Sequence, residues 1–200
     1  MNEPKIQEAI RTILKEIGED INREGIKYTP TRVARLYGNL FYGYAKQLKV
    51  VNEKERNDSD LDKNIIPITI FKTDKQELVI RKVHFNSFCE HHFVGIQGQC
   101  WVGIIPNKKL LGMNKIDRIV KYFAARLQIQ ERLTSQIADW IKDNINPIGV
   151  IVVIKANHAC AELQGDNGDF TTSAVRGIFF KEGDVKLTAK EEALKLMGDM

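Results

Sequence analysis

Apolar residues in the first fifty positions recur at helical spacing. Ile6, Ala9, Ile10, Ile13, Leu14 and Ile17 share one face and Gly18 supplies a stop, which predicts an amphipathic first helix packed against a neighbour. Thr29 followed by Pro30 reads as a cap and a first helical proline, and Val33, Leu36, Tyr37, Leu40, Phe41 and Tyr44 then line a second helix. From Asn52 to Asn64 the chain is polar, charged and aperiodic, which predicts a surface loop. Beyond it the pattern turns strand-like: Ile65–Phe71 and Glu77–Phe85 flank the polar turn Thr73–Gln76, Phe93–Ile105 follows, and Pro67 marks an edge or a strand start. Asn114 can cap a helix carrying Ile116, Ile119, Val120, Phe123 and Ala124, and Leu133, Ile137, Trp140 and Ile141 mark another before Pro147. Ile148–Ala156, rich in Val and Ile, is a strand with Phe170–Phe180 as its partner, and Thr188 with Glu191 forms a capping box for a short last helix.

Strands in runs with helices grouped apart predict an α+β fold built on a mostly antiparallel sheet. The expected organisation is a helical arm over residues 1–50, a polar loop over 51–64 and a single larger domain over 65–200.

Composition narrows this only a little. A hydrophobic fraction of 43% in 200 residues suits a globular core, and a formal charge of +4 gives no case for nucleic acid while leaving room for a phosphorylated small molecule. No apolar run approaches the roughly 18 residues that span a bilayer, and residues 1–18 are amphipathic, unlike a signal peptide. Three cysteines without regular spacing make a poor disulfide framework, so a cytoplasmic protein without a membrane partner is expected.

The chemistry concentrates in two places. Cys89, Glu90, His91 and His92 stand side by side in FNSFCEHHFVGIQGQCWVGII, and Asn157-His158-Ala159-Cys160 follows the apolar run Ile148–Ile154. Of the chain's four His and three Cys, three and two fall in these clusters; Cys100, among apolar neighbours, reads as core. Cys89-x-x-His92 is a compact chelating pair, and Cys160 completes a set of three if the later strand returns beside the first cluster. Three ligands leave a position open for water, whose pKa zinc lowers towards about 7, and His91 and His158 then remain as imidazoles able to pass protons near neutrality. The alternative is a closed structural zinc clip in which one spare histidine is the fourth ligand. Lys115 and Arg118, with Arg32 and Arg35, lie near two helix starts, where backbone N–H groups favour phosphate; the alternative is solvated surface charge. Gln130-Glu131 can both accept and donate along a purine edge such as that of guanine, or is an ordinary helix start.

Ser87-Phe-Cys-Glu-His-His-Phe93, Gly112-Met-Asn-Lys-Ile-Asp-Arg118, Gln128-Ile-Gln-Glu-Arg-Leu-Thr134 and Asn157-His-Ala-Cys160 occur in the order and approximate spacing of GTP cyclohydrolase I, and from about Thr29 to Phe180 the chain resembles that family. The resemblance implies a T-fold, an antiparallel sheet with two helices packed on one face behind an N-terminal helical arm. It also implies a homodecamer of two pentamers with active sites between subunits. It implies catalytic zinc on Cys89, His92 and Cys160, proton transfer by His91 and His158, guanine held by Gln130 and Glu131, and triphosphate held by Lys115, Arg118, Arg32 and Arg35. The implied reaction adds water at guanine C8 of GTP, opens the imidazole ring, expels formate and, after ribose rearrangement, gives 7,8-dihydroneopterin triphosphate for a pterin or 7-deazaguanine pathway.

Two positions depart from the family pattern. Asn114 stands where serine is usual, at the ribose and phosphate end, and Gln164 stands where arginine is usual, removing a charge-assisted contact worth about 1.5–3 kcal/mol. Arg176 stands where the family tends to be apolar or small. These departures keep open an alternative: a diverged relative that binds a guanine nucleotide with incomplete turnover or altered phosphate preference.

Overall fold

The structure is a computed structural model and describes residues 1–52, 63–179 and 184–198. Helices α1 (Glu3–Glu16) and α2 (Thr29–Leu40) form the arm and pack on each other, α2 being followed by a 3-10 turn at Tyr42–Tyr44. Gly18, at φ +86°, ends the first helical segment as its spacing predicts. The cap of α2 falls one residue early, on Tyr28, so that Thr29 is the first helical residue and Pro30 is buried beneath the helix start.

Two sheets follow. The smaller joins β1 (Gln47–Asn52) in parallel to β2 (Ile65–Lys72), and β2 antiparallel to the short β5 (Lys109–Leu111). β5 is not visible as periodicity in the sequence, because three residues are too few to establish a pattern, and β1 was not expected although Leu48 and Val50 alternate within it. Most of the expected polar loop, residues 53–62, lies outside the described residues.

The larger sheet has the order β6-β3-β4-β7-β8, from β3 (Val79–Cys89), β4 (Gly95–Ile105), β6 (Leu127–Gln128), β7 (Gly149–His158) and β8 (Phe170–Gly177). All its long pairings are antiparallel; only the two-residue β6 runs parallel to the end of β3. β4 starts at Gly95, later than Phe93, because Phe93 takes a left-handed conformation (φ +57°) and belongs to the turn. β8 ends at Gly177, and Phe180 lies outside the described residues.

Alternation along β3 sends Val83, Phe85 and Cys89 into the core and Lys82, His84 and Asn86 outward. Helices α3 (Met113–Ala124) and α4 (Gln130–Ile145) cover that inner face, with Ile116, Ile119, Leu133, Ile137 and Ile141 almost wholly buried against Val150, Val152 and Ile154. This is the α+β arrangement, two helices on one face of an antiparallel sheet, that the sequence predicts. The continuous apolar run of β7 has a second cause. Ile151 and Val153 point to the opposite face, where Trp101, Phe179 and the last helix α6 (Asp184–Met197) bury them through Ala193 and Met197. α6 begins at Asp184, so position 188 lies within the helix and not at its start.

Asn114 is likewise not a cap. Gly112 holds that position, with extended dihedrals and its carbonyl accepting from Lys115 N at 2.8 Å, which leaves Asn114 exposed in the first turn of α3. That turn is tied to the start of β3: Arg81 Nε and Nη2 donate to the two oxygens of Asp117 at 2.7 and 2.9 Å. The hydrogen bond from Arg81 holds the Asp117 carboxyl below the usual carboxylate range. A carboxyl depressed in the folded state stabilises above its unfolded value of about 3.9, and that stabilisation is lost as pH falls through the folded value. Asp117→Asn is therefore expected to lower Tm modestly at neutral pH, with the gap from wild type closing below about pH 4 in thermal melts.

Candidate active site

The larger sheet sets the site by register. Ser87 on β3 pairs with Ile96 on β4, and Ile96 pairs with His158 on β7, so one row crosses three strands. Cys89 and Cys160 each lie two residues past that row, on either side of β4. Because β4 starts only at Gly95, no strand separates them there, and the turn 90–94 and the short helix α5 (Ala159–Glu162) fold into the gap. The ligand atoms of Cys89, His92 and Cys160 consequently lie within 4.8 Å of one another, with Cys89 Sγ 3.9 Å from His92 Nδ1.

The turn is held from several sides. Cys89 N donates to Val94 O at 2.8 Å and Phe93 N to Cys89 O at 2.9 Å, closing the loop around the chelating pair. Phe93 stacks on Phe41 of the arm at 5.7 Å between centroids and meets Tyr37 edge-on at 5.4 Å, while Phe88 packs on Phe41 at 5.0 Å. Glu90 is gripped by Arg132, which also donates to Gln128 Oε1 at 3.0 Å and to Leu127 O at 3.2 Å. The Arg132 guanidinium holds the Glu90 carboxyl below its ordinary range. Gln128, 1% exposed, donates in turn to Phe123 O and Gln136 Oε1 at 2.8 and 2.9 Å.

A cavity of about 300 Å³ opens beside the trio, lined also by His91, Gln130, Glu131, His158, Phe170 and Thr172. A larger hollow of about 600 Å³, lined by His84, Asn86, Gln97 and Lys121 among others, holds no such cluster of ligands, so the chemistry singles out the smaller one. His91 is mostly exposed, with 66% of its side chain accessible. His158 is half-buried, its Nε2 is 2.8 Å from Gln130 Oε1, and its ring meets Phe170 edge-on at 5.1 Å. Burial pulls its pKa below the usual histidine value, with the Glu131 carboxylate opposing. Burial, and then the adjacent Cys89 thiol, raise the pKa of Cys160, a penalty that a cation between two thiolates would reverse.

The remaining predicted residues lie elsewhere in the chain. Arg32 and Arg35 are exposed on α2, Asn114 is exposed on α3, Lys115 is 5% exposed, and Arg118 Nη1 donates to Pro67 O at 3.3 Å. None of these lines the 300 Å³ cavity. Arg81 precedes Cys89 by eight positions on β3, about 26 Å at ~3.3 Å per residue, and Asp117 is bonded to Arg81. The first turn of α3 is thus at the opposite end of the sheet from the trio. Gln164, the second departure, bends back and donates to Cys160 O at 2.9 Å. Arg176 ties β8 to α4 through Asp139 Oδ1 at 2.6 Å.

Sequence reasoning gave no role to Glu90, Gln128, Arg132 or Thr172. Glu90 had a usable signal, a carboxylate inside the Cys-His cluster; Gln128, on β6, and Arg132, on α4, had none in their spacing, and only the β7–β8 register brings Thr172 to the site. If the trio holds a metal ion, Arg132→Ala is expected to free the turn and weaken the affinity for added Zn2+ about 10- to 100-fold, read by chelator competition; an unchanged affinity would show that the turn holds itself.

A sequence model of GTP cyclohydrolase I matches residues 6–195. The GTP cyclohydrolase 1 of Campylobacter jejuni is 42% identical over 181 residues, 88% of each chain. That of Pelotomaculum thermopropionicum is 42% identical over 198 residues, covering 96% of this chain and 95% of its own, and that of Methylococcus capsulatus is 39% identical over 190 residues, 93% of each. Matched over nearly all its length, cavity walls included, the chain belongs to the GTP cyclohydrolase I family.

Proposed function

We propose that the cavity is the ring-opening centre of a zinc-dependent enzyme that converts GTP to formate and 7,8-dihydroneopterin triphosphate. The observation that carries this reading is the meeting of Cys89, His92 and Cys160 with His91, His158 and Glu131 around one cavity. The donor set fits zinc: tetrahedral Zn–S and Zn–N bonds place sulfur and nitrogen roughly 3.6 Å apart, close to the 3.9 Å found between Cys89 Sγ and His92 Nδ1. Bound there, zinc supplies the Lewis acidity that activates water at neutral pH.

The chain's own residues do the rest. Guanine C8 is bonded to N7 and N9, so two hydrolyses free it as formate and consume two waters, one of which returns when the new ring closes. Glu131, at the positive end of α4, offers two carboxylate oxygens to the N–H groups of the guanine edge. His158, whose pKa burial lowers, and His91 at the mouth exchange protons with the opening ring.

Asn114, Lys115, Arg118, Arg32 and Arg35 serve the triphosphate in this reading, those on α3 from another copy of the chain. Cations about 26 Å from the trio along β3 are too far to share one nucleotide with it. A homo-oligomer with sites between subunits, a decamer of two pentamers, resolves this. The exposed Ile13, Ile17 and Leu36 on the arm and Met113 at the start of α3 give it apolar contact surface. Three unpaired cysteines suit the cytoplasm, and among the described residues no helix is long and apolar enough to cross a membrane. A second reading, nucleotide binding with incomplete turnover, draws support from Gln164, whose amide is turned to Cys160 O and brings no charge.

Zinc-loaded protein incubated with GTP is expected to yield formate and, after oxidation, a fluorescent pterin in equal amounts; formate without pterin would favour the second reading. Cys160→Ala should lose zinc and ring opening together. His158→Ala should keep zinc and lose turnover about 100-fold or more, and full activity in it would remove His158 from the reaction. Co-expressed Cys160→Ala and Arg118→Ala chains should regain activity at about a quarter of sites, those with two intact halves. No gain on mixing would place both halves in one chain.

A further inference from the structure

Gln130 opens α4 with its side chain turned inward, and the residue is 3% exposed. Its Nε2 lies 3.1 Å from Ile154 O, 2.9 Å from Phe170 O and 3.2 Å from Thr172 Oγ1. Backbone carbonyls can only accept, so the amide group facing them must be the NH2, and the orientation of the amide is settled by chemistry. The other end, Oε1, then faces His158 Nε2 at 2.8 Å. An amide oxygen cannot donate, and the ring nitrogen must.

The surrounding hydroxyls obey the same polarity. Thr134 Oγ1 donates to Gln130 O at 2.7 Å, which uses its one hydrogen, so at the 2.7 Å contact between Thr134 and Thr172 the donor is Thr172. Thr172 Oγ1 remains an acceptor for the Gln130 amide, and each hydrogen of the network has a place.

We propose that Gln130 is a positioning residue for His158, fixing its imidazole with the hydrogen on Nε2 and leaving Nδ1 as the free acceptor nitrogen. Donor and acceptor polarity alone sets this, whatever the pH at which the ring titrates. The role differs from anchoring the guanine base, which in this arrangement falls to Glu131. It rests on the reading of His158 as a proton-transfer group, and two measurements keep them apart.

Neutron diffraction from crystals of the zinc-loaded protein at pD about 8 is expected to show deuterium on His158 Nε2 and none on Nδ1. The reverse pattern would overturn the proposal whatever the activity. Gln130→Met, close to Gln in shape and without the hydrogen bonds, is expected to keep zinc content and KM for GTP while kcat falls about 10- to 100-fold. A raised KM with kcat retained would return Gln130 to base anchoring and overturn the positioning role. Deuterium on Nε2 together with full activity in His158→Ala would uphold the tautomer and sink the proton-transfer reading instead.

Discussion

Strand register is the constraint on which the rest depends. Cys89 and Cys160 are far apart in the chain and meet only because β4 pairs with β3 on one side and β7 on the other along a row through Ser87, Ile96 and His158. A slip of one residue in either pairing would send a ligand to the opposite face of the sheet. The core guards against such a slip. Val83 and Phe85 on β3, Cys100 and Val102 on β4, and Val150, Val152 and Ile154 on β7 are nearly wholly buried against α3 and α4. The apolar burial that holds the fold thus also fixes the geometry of the site.

Around that frame the site is built from buried polar groups. Gln128, Gln130 and Thr134 are each 3% exposed or less. A buried amide or hydroxyl without a partner costs on the order of 1–3 kcal/mol, so such groups persist only where their bonds are made. Gln128 and Arg132 brace the chelating turn through Glu90, and Gln130 with Thr134 and Thr172 braces the far wall. Two pieces of one short stretch, Gln128–Thr134, therefore brace the turn of Cys89 and His92 and the ring of His158.

The arm contributes more than a helical hairpin. Tyr37 and Phe41 pack on Phe88 and Phe93, so the arm touches the chelating turn directly. A non-glycine residue in the left-handed region costs about 1 kcal/mol or more, and at Phe93 the aromatic cluster offsets it. Meanwhile the cations of α3 stand at the other end of β3, held there by Arg81 and Asp117.

What the sequence determined by itself was local. Helical spacing placed α1 to α4, apolar runs placed β2, β3, β4 and β7, and the crowding of Cys and His into two clusters picked out Cys89, His92 and Cys160, which the fold brings together, because these signals lie within a few residues of one another. Cap positions were less legible: Gly112 and Tyr28 displaced Asn114 and Thr29, since backbone geometry, and not side-chain type, starts those helices. The tertiary structure alone decided that the start of α3, with Lys115 and Arg118, stands toward the other end of β3 from the trio, that Thr172 reaches the site, and that the amide of Gln130 faces inward to His158. Each of these follows from which strand lies beside which and in what register, and pairing between distant segments leaves no mark on the spacing of residues within either one.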